Sequence, residues 1–529
     1  MVVSRISRRA LLLGTALGLL GPIGTATAAK KHAQGAKKAA ATQPQTGVQI
    51  PYPPLVDVGA AGPYELVAQA ATHAFLKDKP VAVVGYGGTY MGPALRVRRG
   101  TTAQLRLVNR LDRPTNVHWH GLLVEGRFDG GTHPGIAPGE TWEASLAVDQ
   151  PAATLWYHAH VHGSTTRDVH DGLAGLLIVE DEKSSTLGLP ATWGVDDLPL
   201  VLQDRDFDAD GKPVLPPLAS ALEHGFRGRT PIVNGVAEAR ARVPERLVRL
   251  RLLNACGART FRLAFEDRRT FRLIAGDAGF LAAPVELSFL PLAPGERAEI
   301  LVDFTAGASP LMTDPDAHEH RAGREVVTLP DVLTQSTKLL DFEVRQDSVT
   351  SHAVPKALVP LAALPETTIG LTRRRFELRV VPGAESAMSM PGHAQHMMHP
   401  VEDHAGHGGG DQPAGDALPA PKLTINGKSF AMGRIDEKVA FGATEVWEIV
   451  SPEMAHPFHL HGAHFRVLSE DGEQAKLWNG GPKDTILVDN SAEILVTFRR
   501  RADATAPFVY HCHLLEHEDG GMMGAFTVA

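Results

Sequence analysis

Near the C-terminus the chain reads His511-Cys512-His513-Leu514-Leu515-Glu516-His517-Glu518-Asp519-Gly520-Gly521-Met522-Met523. A thiolate between two imidazoles, another imidazole shortly after and a thioether beyond it form a dense set of soft and borderline donors. Such donors suit copper, and two imidazoles, a thiolate and a weak axial thioether make up a blue-copper electron-transfer site. Cys512, His517 and Met522 supply three of those donors from one loop, so one more histidine must come from elsewhere. Val509-Tyr510 reads as strand, along which successive side chains point to opposite faces. Cys512 then faces one site while His511 and His513 together face another, and the backbone links the two.

The chain holds the further histidines that two sites require. They are His118-Trp119-His120-Gly121, Trp156-Tyr157-His158-Ala159-His160 and His456-Pro457-Phe458-His459-Leu460-His461-Gly462. On a strand, each His-x-His pair presents both imidazoles on one face. A single pair carries little weight, because polar strands often contain alternating histidines. All four pairs together with the Cys–His–Met loop point to several metal ions in one protein. His162 continues the face of His158 and His160, as a neighbour of the site or an exposed residue.

The elements that must position these residues come from an internal repeat. Leu105-Arg106-Leu107-Val108-Asn109 returns as Leu250-Arg251-Leu252-Leu253-Asn254, and Val446-Trp447-Glu448-Ile449-Val450 alternates similarly. Ile232-Val233-Asn234-Gly235 and Thr424-Ile425-Asn426-Gly427 are each an apolar strand closed by an Asn-Gly turn. Short alternating strands, Gly/Pro turns and no sustained helical period predict β-sandwiches. Three are expected, near 50–183, 190–346 and 365–529, with linkers near 184–194 and 347–367. Two His-x-His pairs fall in the first unit and two in the third, which predicts a metal site between those units. The second unit has Thr260-Phe261-Arg262-Leu263 after its repeat strand and no such pair, so it reads as a copper-free spacer.

Taken together, these motifs resemble three-domain multicopper oxidases, particularly bacterial copper efflux oxidases and laccases. The likeness covers nearly all of the chain after its first 28 residues, including the Arg249 to Cys256 run. It implies an all-β chain of three cupredoxin-like Greek-key β-sandwich domains in tandem. Position by position, it implies a type 1 copper held by His456, Cys512, His517 and Met522. It implies a type 2 copper on His118 and His459, and type 3 coppers on His120, His158, His160, His461, His511 and His513. Four coppers would then couple one-electron oxidation of a donor to four-electron reduction of O2 to water, with Cys512 as the electron link. Asp129 and Glu518 match acidic positions that the family uses for proton delivery. The alternatives are an Asp-Gly turn residue for Asp129 and a solvated loop acid for Glu518, and the proton role is the favoured reading of both.

The donor side is less sharply written. Residues 388–410 include Met388, Met390, His393, His396, Met397, Met398, His399, His404 and His407. Five histidines fall between 388 and 407, against 25 in all 529 residues, a composition that reads as metal binding. Copper efflux oxidases resemble this in carrying a Met-rich insertion here that gathers Cu(I). Met454 matches a substrate-copper residue of that family, whereas Pro452 stands where an Asp is expected and Val380 or Val381 where a Met is expected. The donors implied are Cu(I), small phenolic or aromatic molecules, or both, and a role in copper tolerance follows from the first. The alternatives are a general laccase, a copper nitrite reductase, which would need a lone type 2 copper, or a copper-binding scaffold.

Composition bounds the rest. With 43% apolar and 21% charged residues, 52 Gly and 38 Pro, the chain is globular and rich in turns. Ser7-Arg8-Arg9, an apolar run from Leu11 to Ile23 and Ala26-Thr27-Ala28 read as a cleaved export signal over 1–28. The paired arginines resemble a twin-arginine signal. Leu11 and Leu12 depart from that pattern, so a general secretory signal is the alternative. The net charge of −8 becomes −11 without those 28 residues, which gives nucleic acid no foothold. The apolar run is too short and too broken to span a bilayer. Residues 29–49 read as a disordered lead-in, and a monomer is expected. Cys256 reads as a buried apolar residue. Asp206-x-Asp208-x-Asp210-Gly211 opens like a calcium loop, but Pro217 at its twelfth position makes it a hairpin turn.

Overall fold

The repeated alternating segment takes the same place in each of three sandwiches, as a central strand with one parallel and one antiparallel neighbour. The computed structural model describes residues 47–59, 62–131, 135–314, 333–334, 336–346, 350–381 and 421–529. Residues 1–28, read as an export signal, lie outside these, as do Met388, Met390, His393, His396, Met397, Met398 and His399. In the first sandwich, Thr102–Asn109 pairs in parallel with Tyr64–Leu76 and antiparallel with Thr141–Ala147. In the second, Leu247–Asn254 lies between Asp197–Phe207 and Arg297–Asp303 in the same senses. In the third, Thr444–Val450 lies between Thr372–Val381 and Ser491–Thr497. Parallel neighbours cannot be joined by a hairpin. In each sandwich the chain crosses to the facing sheet and returns, as in a Greek key.

The Asn-Gly turns close hairpins and also stitch them to the sheet. Asn234 and Asn426 adopt φ of 48° and 52°, which short polar side chains tolerate at such turns. The Asn234 side chain accepts from Val201 N–H and donates to Pro199 O, and Asn426 does the same with Glu377 and Arg375. The loop from Asp206 to Gly211 is a hairpin turn between Asp197–Phe207 and Pro213–Val214.

Each sandwich has its own apolar core. The first buries Leu105, Leu107, Trp119, Tyr157 and Leu177, and the second Leu250, Leu252, Phe261, Phe265 and Phe304. The third packs Phe376 against Trp447 and Tyr510, with ring centroids 4.5 and 4.6 Å apart. In the second sandwich the repeat strand is buried on both faces, and Arg249 and Arg251 along it stay covered. Arg251 donates to Asp197 and Glu299 and also to Thr154 of the first sandwich. The middle unit is therefore docked through fixed charges.

Two expectations need correction. Val48 and Gln49, at the end of the predicted lead-in, form a short strand paired in parallel with Ala239 and Arg240, because an open sheet edge offers unpaired backbone groups. The His-x-His pairs do not sit wholly on strands. β1 (Ala153–His158) ends at His158 and is followed by helix α1 (Thr165–Asp171). The central unit contributes β2 (Arg297–Asp303). In the third unit β3 (His456–Leu460) stops before His461, β4 (Phe508–Cys512) stops before His513, and helix α2 (Leu515–Asp519) follows. His118 makes only an isolated bridge to His158. The ladders end where the chain must turn its rings toward another unit, so three of the pairs straddle a strand end and His118/His120 lies outside any strand.

Among the described residues no helix is long and apolar enough to cross a membrane. Phe376, fully buried among three aromatic rings, is a test of the third core. Phe376→Ala should lower the stability of the copper-free protein by about 3–5 kcal/mol, read as an earlier denaturation midpoint. An unchanged midpoint would contradict this packing.

Candidate metal centre

β3 and β4 lie side by side with Phe458 opposite Cys512 and His459 opposite His511. This register puts Cys512 on one side of the pair and the two histidines on the other. Cys512, His456 and His517 offer donor atoms that all lie within 4.8 Å of one another, and all three are buried. Helix α2 supplies the return: it carries His517 back so that its Nδ1 lies 3.7 Å from Cys512 Sγ. Leu514 N–H donates to Sγ at 3.4 Å, and Met522 O accepts from Cys512 N–H at 3.1 Å. The Met522 side chain is buried in the same apolar cluster. Ser451 Oγ donates to Met454 O and lies 2.6 Å from His456 Nδ1. Accepting that N–H leaves His456 Nε2 without a hydrogen-bond partner.

Across the strand, His118, His120, His158, His160, His459, His461, His511 and His513 converge between the first and third units, each at most 1% exposed. His118 and His158 are tied by paired backbone hydrogen bonds of 2.8 and 3.1 Å. His511 Nε2 lies 3.3 Å from His160 Nε2 and 3.2 Å from His461 Nε2. His511 Nδ1 is committed to Cys512 O, His461 Nδ1 to Asp129, and His160 Nδ1 lies 3.3 Å from Glu518. With the protons on the Nδ1 atoms, three bare Nε2 lone pairs face one another. On the other flank His120, His158 and His513 group with ring centroids 5.1 to 5.8 Å apart. His118 and His459 lie between the flanks, 5.9 Å apart, with His118 Nδ1 on Asp129 O and His459 Nδ1 on Asp484 O.

These donors fit copper ions. The inward nitrogens of His118, His120, His158 and His459 have no hydrogen-bond partner although buried, which is costly unless a cation takes the lone pair. Burial first, and the neighbouring His118 second, hold His461 down to about 4, and burial holds His513 and His456 to about 3. Burial and then neighbouring imidazoles keep His158, His160, His459, His511 and His517 well below their ordinary value, and burial followed by the Arg297 guanidinium does so for His120. Neutral imidazole is the form that binds metal.

Carboxylates hold the outer nitrogens. Asp129 ends a short helical turn, Gly126–Asp129, and its Oδ2 lies 2.7 Å from His461 Nδ1 and 3.4 Å from His118 Nδ1. Burial alone would raise its pKa, but those two imidazoles pull it below the usual range. Glu518, carried by α2, lies 3.3 Å from His160 Nδ1 and 3.4 Å from His511 Nδ1 and accepts from Thr165 Oγ at 2.7 Å. Burial pushes its pKa well above the ordinary value. Asp519 accepts from the backbone N–H groups of Thr165 and Thr166, capping α1 across the unit boundary.

Asp484 is the acid that the sequence did not reveal. Its Oδ1 lies 3.1 Å from His120 Nε2, with Thr485 Oγ at 3.2 Å from the same nitrogen. Gly480-Gly481-Pro482-Lys483-Asp484-Thr485 reads as a polar turn entering a strand, and nothing in its pattern marks a buried group. Ser451, Thr165 and Asp519 were missed likewise. On the donor side, Met454 is half-buried against the third core, and Arg379 is ion-paired with the neighbouring Glu453 at 2.5 Å. Val380 is buried and Val381 exposed. His162 is half-buried, edge-on to Phe430 at 5.0 Å. Cys256 is buried and free.

The lowered histidine pKa values carry a sign. Below about pH 6.5 the unfolded chain takes up protons that the buried imidazoles refuse, so folding stability falls as pH falls. Glu516, raised by burial to about 8, and Glu518 act in the opposite sense but are fewer. Thermal unfolding of the copper-free protein should therefore move to lower temperature between pH 7.5 and 5. A midpoint that rises on acidification would contradict neutral burial of these rings.

Two family models described as Multicopper oxidase match residues 68–184 and 399–529. The chain is 34% identical over 488 residues to Cell division protein FtsP of Xenorhabdus nematophila, covering 91% of this chain and 92% of that one. It is 32% identical over 472 residues to Multicopper oxidase mco of Staphylococcus haemolyticus, covering 88% of each. Among solved structures, it superposes with a TM-score of 0.77 and 37% identity on a laccase-like multicopper oxidase CueO from Ochrobactrum sp.. That likeness covers 91% of this chain and 100% of the other. A laccase from Pediococcus acidilactici gives a TM-score of 0.75 at 29% identity, covering 92% and 94%. By its three cupredoxin-like domains and this level of identity, the chain belongs to the multicopper oxidases, a family of oxidoreductases whose cofactor is copper.

Proposed function

We propose that the protein is an exported, monomeric four-copper oxidase that takes electrons singly from Cu(I) or from phenolic donors and reduces O2 to water. The observation that carries this reading is the place of Cys512, whose neighbours His511 and His513 both lie in the buried histidine cluster, ring centroids 5.6 Å apart, while its sulfur lies with His456 and His517. His456, Cys512, His517 and Met522 would hold a type 1 copper. His118 and His459 would hold a type 2 copper, and His120, His158, His513 with His160, His461, His511 the type 3 pair. Bound there, copper supplies one-electron exchange at the first site and multi-electron reduction of dioxygen at the second. The covalent chain through Cys512 gives the two sites a direct connection. Glu518, whose pKa burial raises well above the ordinary value and which accepts from Thr165, can hold a proton at the wall of the cluster. Asp129 Oδ2 orients His461 and is the second carboxylate for proton delivery. The domain division near 50–183, 190–346 and 365–529 and export through the twin-arginine route belong to the same proposal.

The donor is argued from two sides. The solved CueO from Ochrobactrum sp. is described as acting on lignin model compounds and lignosulfonate, which supports phenolic donors here. The His/Met-rich composition of 388–410 supports Cu(I) as substrate and a place in copper tolerance. Arg379, paired with Glu453, neutralises the carboxylate next to Met454, which weighs against a dedicated cuprous site there. Several relatives carry the name Cell division protein FtsP, so a scaffold role in division is the second reading. The complete, convergent donor set favours the oxidase.

Metal analysis separates the two: the oxidase should hold about four coppers per chain, and a scaffold none. Cys512→Ser should abolish the blue thiolate absorption and donor oxidation while copper remains in the histidine cluster. His118→Ala should keep the blue colour and stop oxygen consumption. A Cys512→Ser protein that stays blue would sink the assignment.

Deleting residues 388–407 addresses the donor. Turnover of Cu(I) should fall much more than turnover of a small phenol. Equal effects on both, or none, would remove the copper-gathering role.

A further inference from the structure

The middle unit places no histidine in either donor set, yet one of its side chains reaches the wall of the cluster. Arg297, first residue of β2, is 1% exposed. A guanidinium carries five N–H donors, and each of them is used. Nη1 and Nη2 donate to Asp484 Oδ1 and Oδ2 at 2.7 and 2.5 Å. The remaining three donate to Thr154 O, Gly295 O and Asp277 O at 3.3, 2.8 and 2.8 Å. Thr154 belongs to the first sandwich, Gly295 and Asp277 to the second and Asp484 to the third, so one buried cation is shared by all three. Lys483 Nζ, 3.0 Å from both Asp277 and Glu296, backs the same group of charges.

Asp484 transmits this to the ligands. Its Oδ1 faces His120 Nε2 at 3.1 Å, and its backbone oxygen accepts from His459 Nδ1 at 2.9 Å. His120 thereby differs from its neighbours: its Nε2 is tied to the protein and its Nδ1 faces inward without a partner. The donor atoms of His120, His459 and Asp484 lie close enough to share a cation. The two-pronged pairing with Arg297 occupies both carboxylate oxygens instead. The backbone on either side leaves no room to spare. A Cβ on Gly121, at φ +85°, would lie 2.5 Å from Asp484 Oδ2 and 2.7 Å from Arg297 Nη2. A Cβ on Gly295, at φ +84°, would lie 2.8 Å from the His513 ring.

We propose that Arg297 is a positioning residue of the histidine cluster: it fixes Asp484 so that His120 keeps its proton on Nε2 and offers Nδ1 to the metal. The inference rests on the reading of the cluster as a copper site. A substituted outer partner commonly lowers metal affinity 10–100-fold. Arg297→Met in the full chain should therefore lose cluster copper to a chelator at roughly tenfold lower chelator concentration than the wild type. The blue absorption of the Cys512 site should stay intact. Arg297→Lys keeps the charge but cannot grip both oxygens, and should fall between the two. Should the Met variant fail to fold, the Lys variant is read by the same ratio of retained copper to blue absorption. Unchanged copper retention in both variants would overturn the proposal, as would loss of blue absorption in step with cluster copper, which marks a purely structural role. A wild-type chain that takes up no copper would overturn the copper-site reading and this inference together, an outcome distinct from an unaffected variant.

Discussion

The structure depends on burying imidazole lone pairs that face one another. His511 Nε2 lies 3.3 Å from that of His160 and 3.2 Å from that of His461, and each of these rings has its Nδ1 facing a carbonyl or carboxylate oxygen, so the three lone pairs repel unless a cation lies among them. Such an arrangement is easier to fold when outer nitrogens have acceptors nearby and the surrounding scaffold resists collapse. Both conditions explain features that look unrelated in the sequence. Asp129, Glu518 and Asp484 are buried acids that stand behind imidazoles of the cluster. Asp519 caps a helix of another unit because that helix carries Thr165, the partner of Glu518.

This constraint also explains why the middle sandwich is more than a spacer. The cluster lies between the first and third units, and a boundary between two rigid bodies is a poor place to hold rings to fractions of an ångström. Arg297, Arg251 and Thr154 tie the three units through buried charge and hydrogen bonds. Such pairs need close geometry to offset the loss of hydration, and that requirement fixes the orientation of the units about the cluster. Fixed geometry, more than net stability, is what a multi-copper site asks of its scaffold.

The Cys512 site sets a different balance. Its donors lie in an apolar cluster with one hydroxyl, that of Ser451, on the outer side of His456. Burial raises the pKa of the Cys512 thiol well above its ordinary value, so the thiolate form that binds metal requires the metal's own charge. Helix α2 serves both sites, with His517 on one side and Glu518 on the other.

The sequence by itself determined the fold class, the repeat and the inventory of donors, because these are local. Period-two alternation makes strands whatever surrounds them. His-x-His spacing pairs rings on one side of an extended chain, and the Cys512 loop contains its donors within a few residues. It placed those pairs on strands, whereas the ladders stop at His158, Leu460 and Cys512, since strand ends answer to the neighbouring unit. Only the tertiary structure decided which rings face each other, that Asp484 and not a nearer acid stands behind His120, and that Arg297 reaches the cluster from the middle unit. Arg297 and Asp484 are 187 residues apart, and each sits in a polar stretch that reads as surface. Charge pairing across such a distance leaves no periodicity in the chain, because it is fixed by the packing of whole domains and not by the geometry of any one strand.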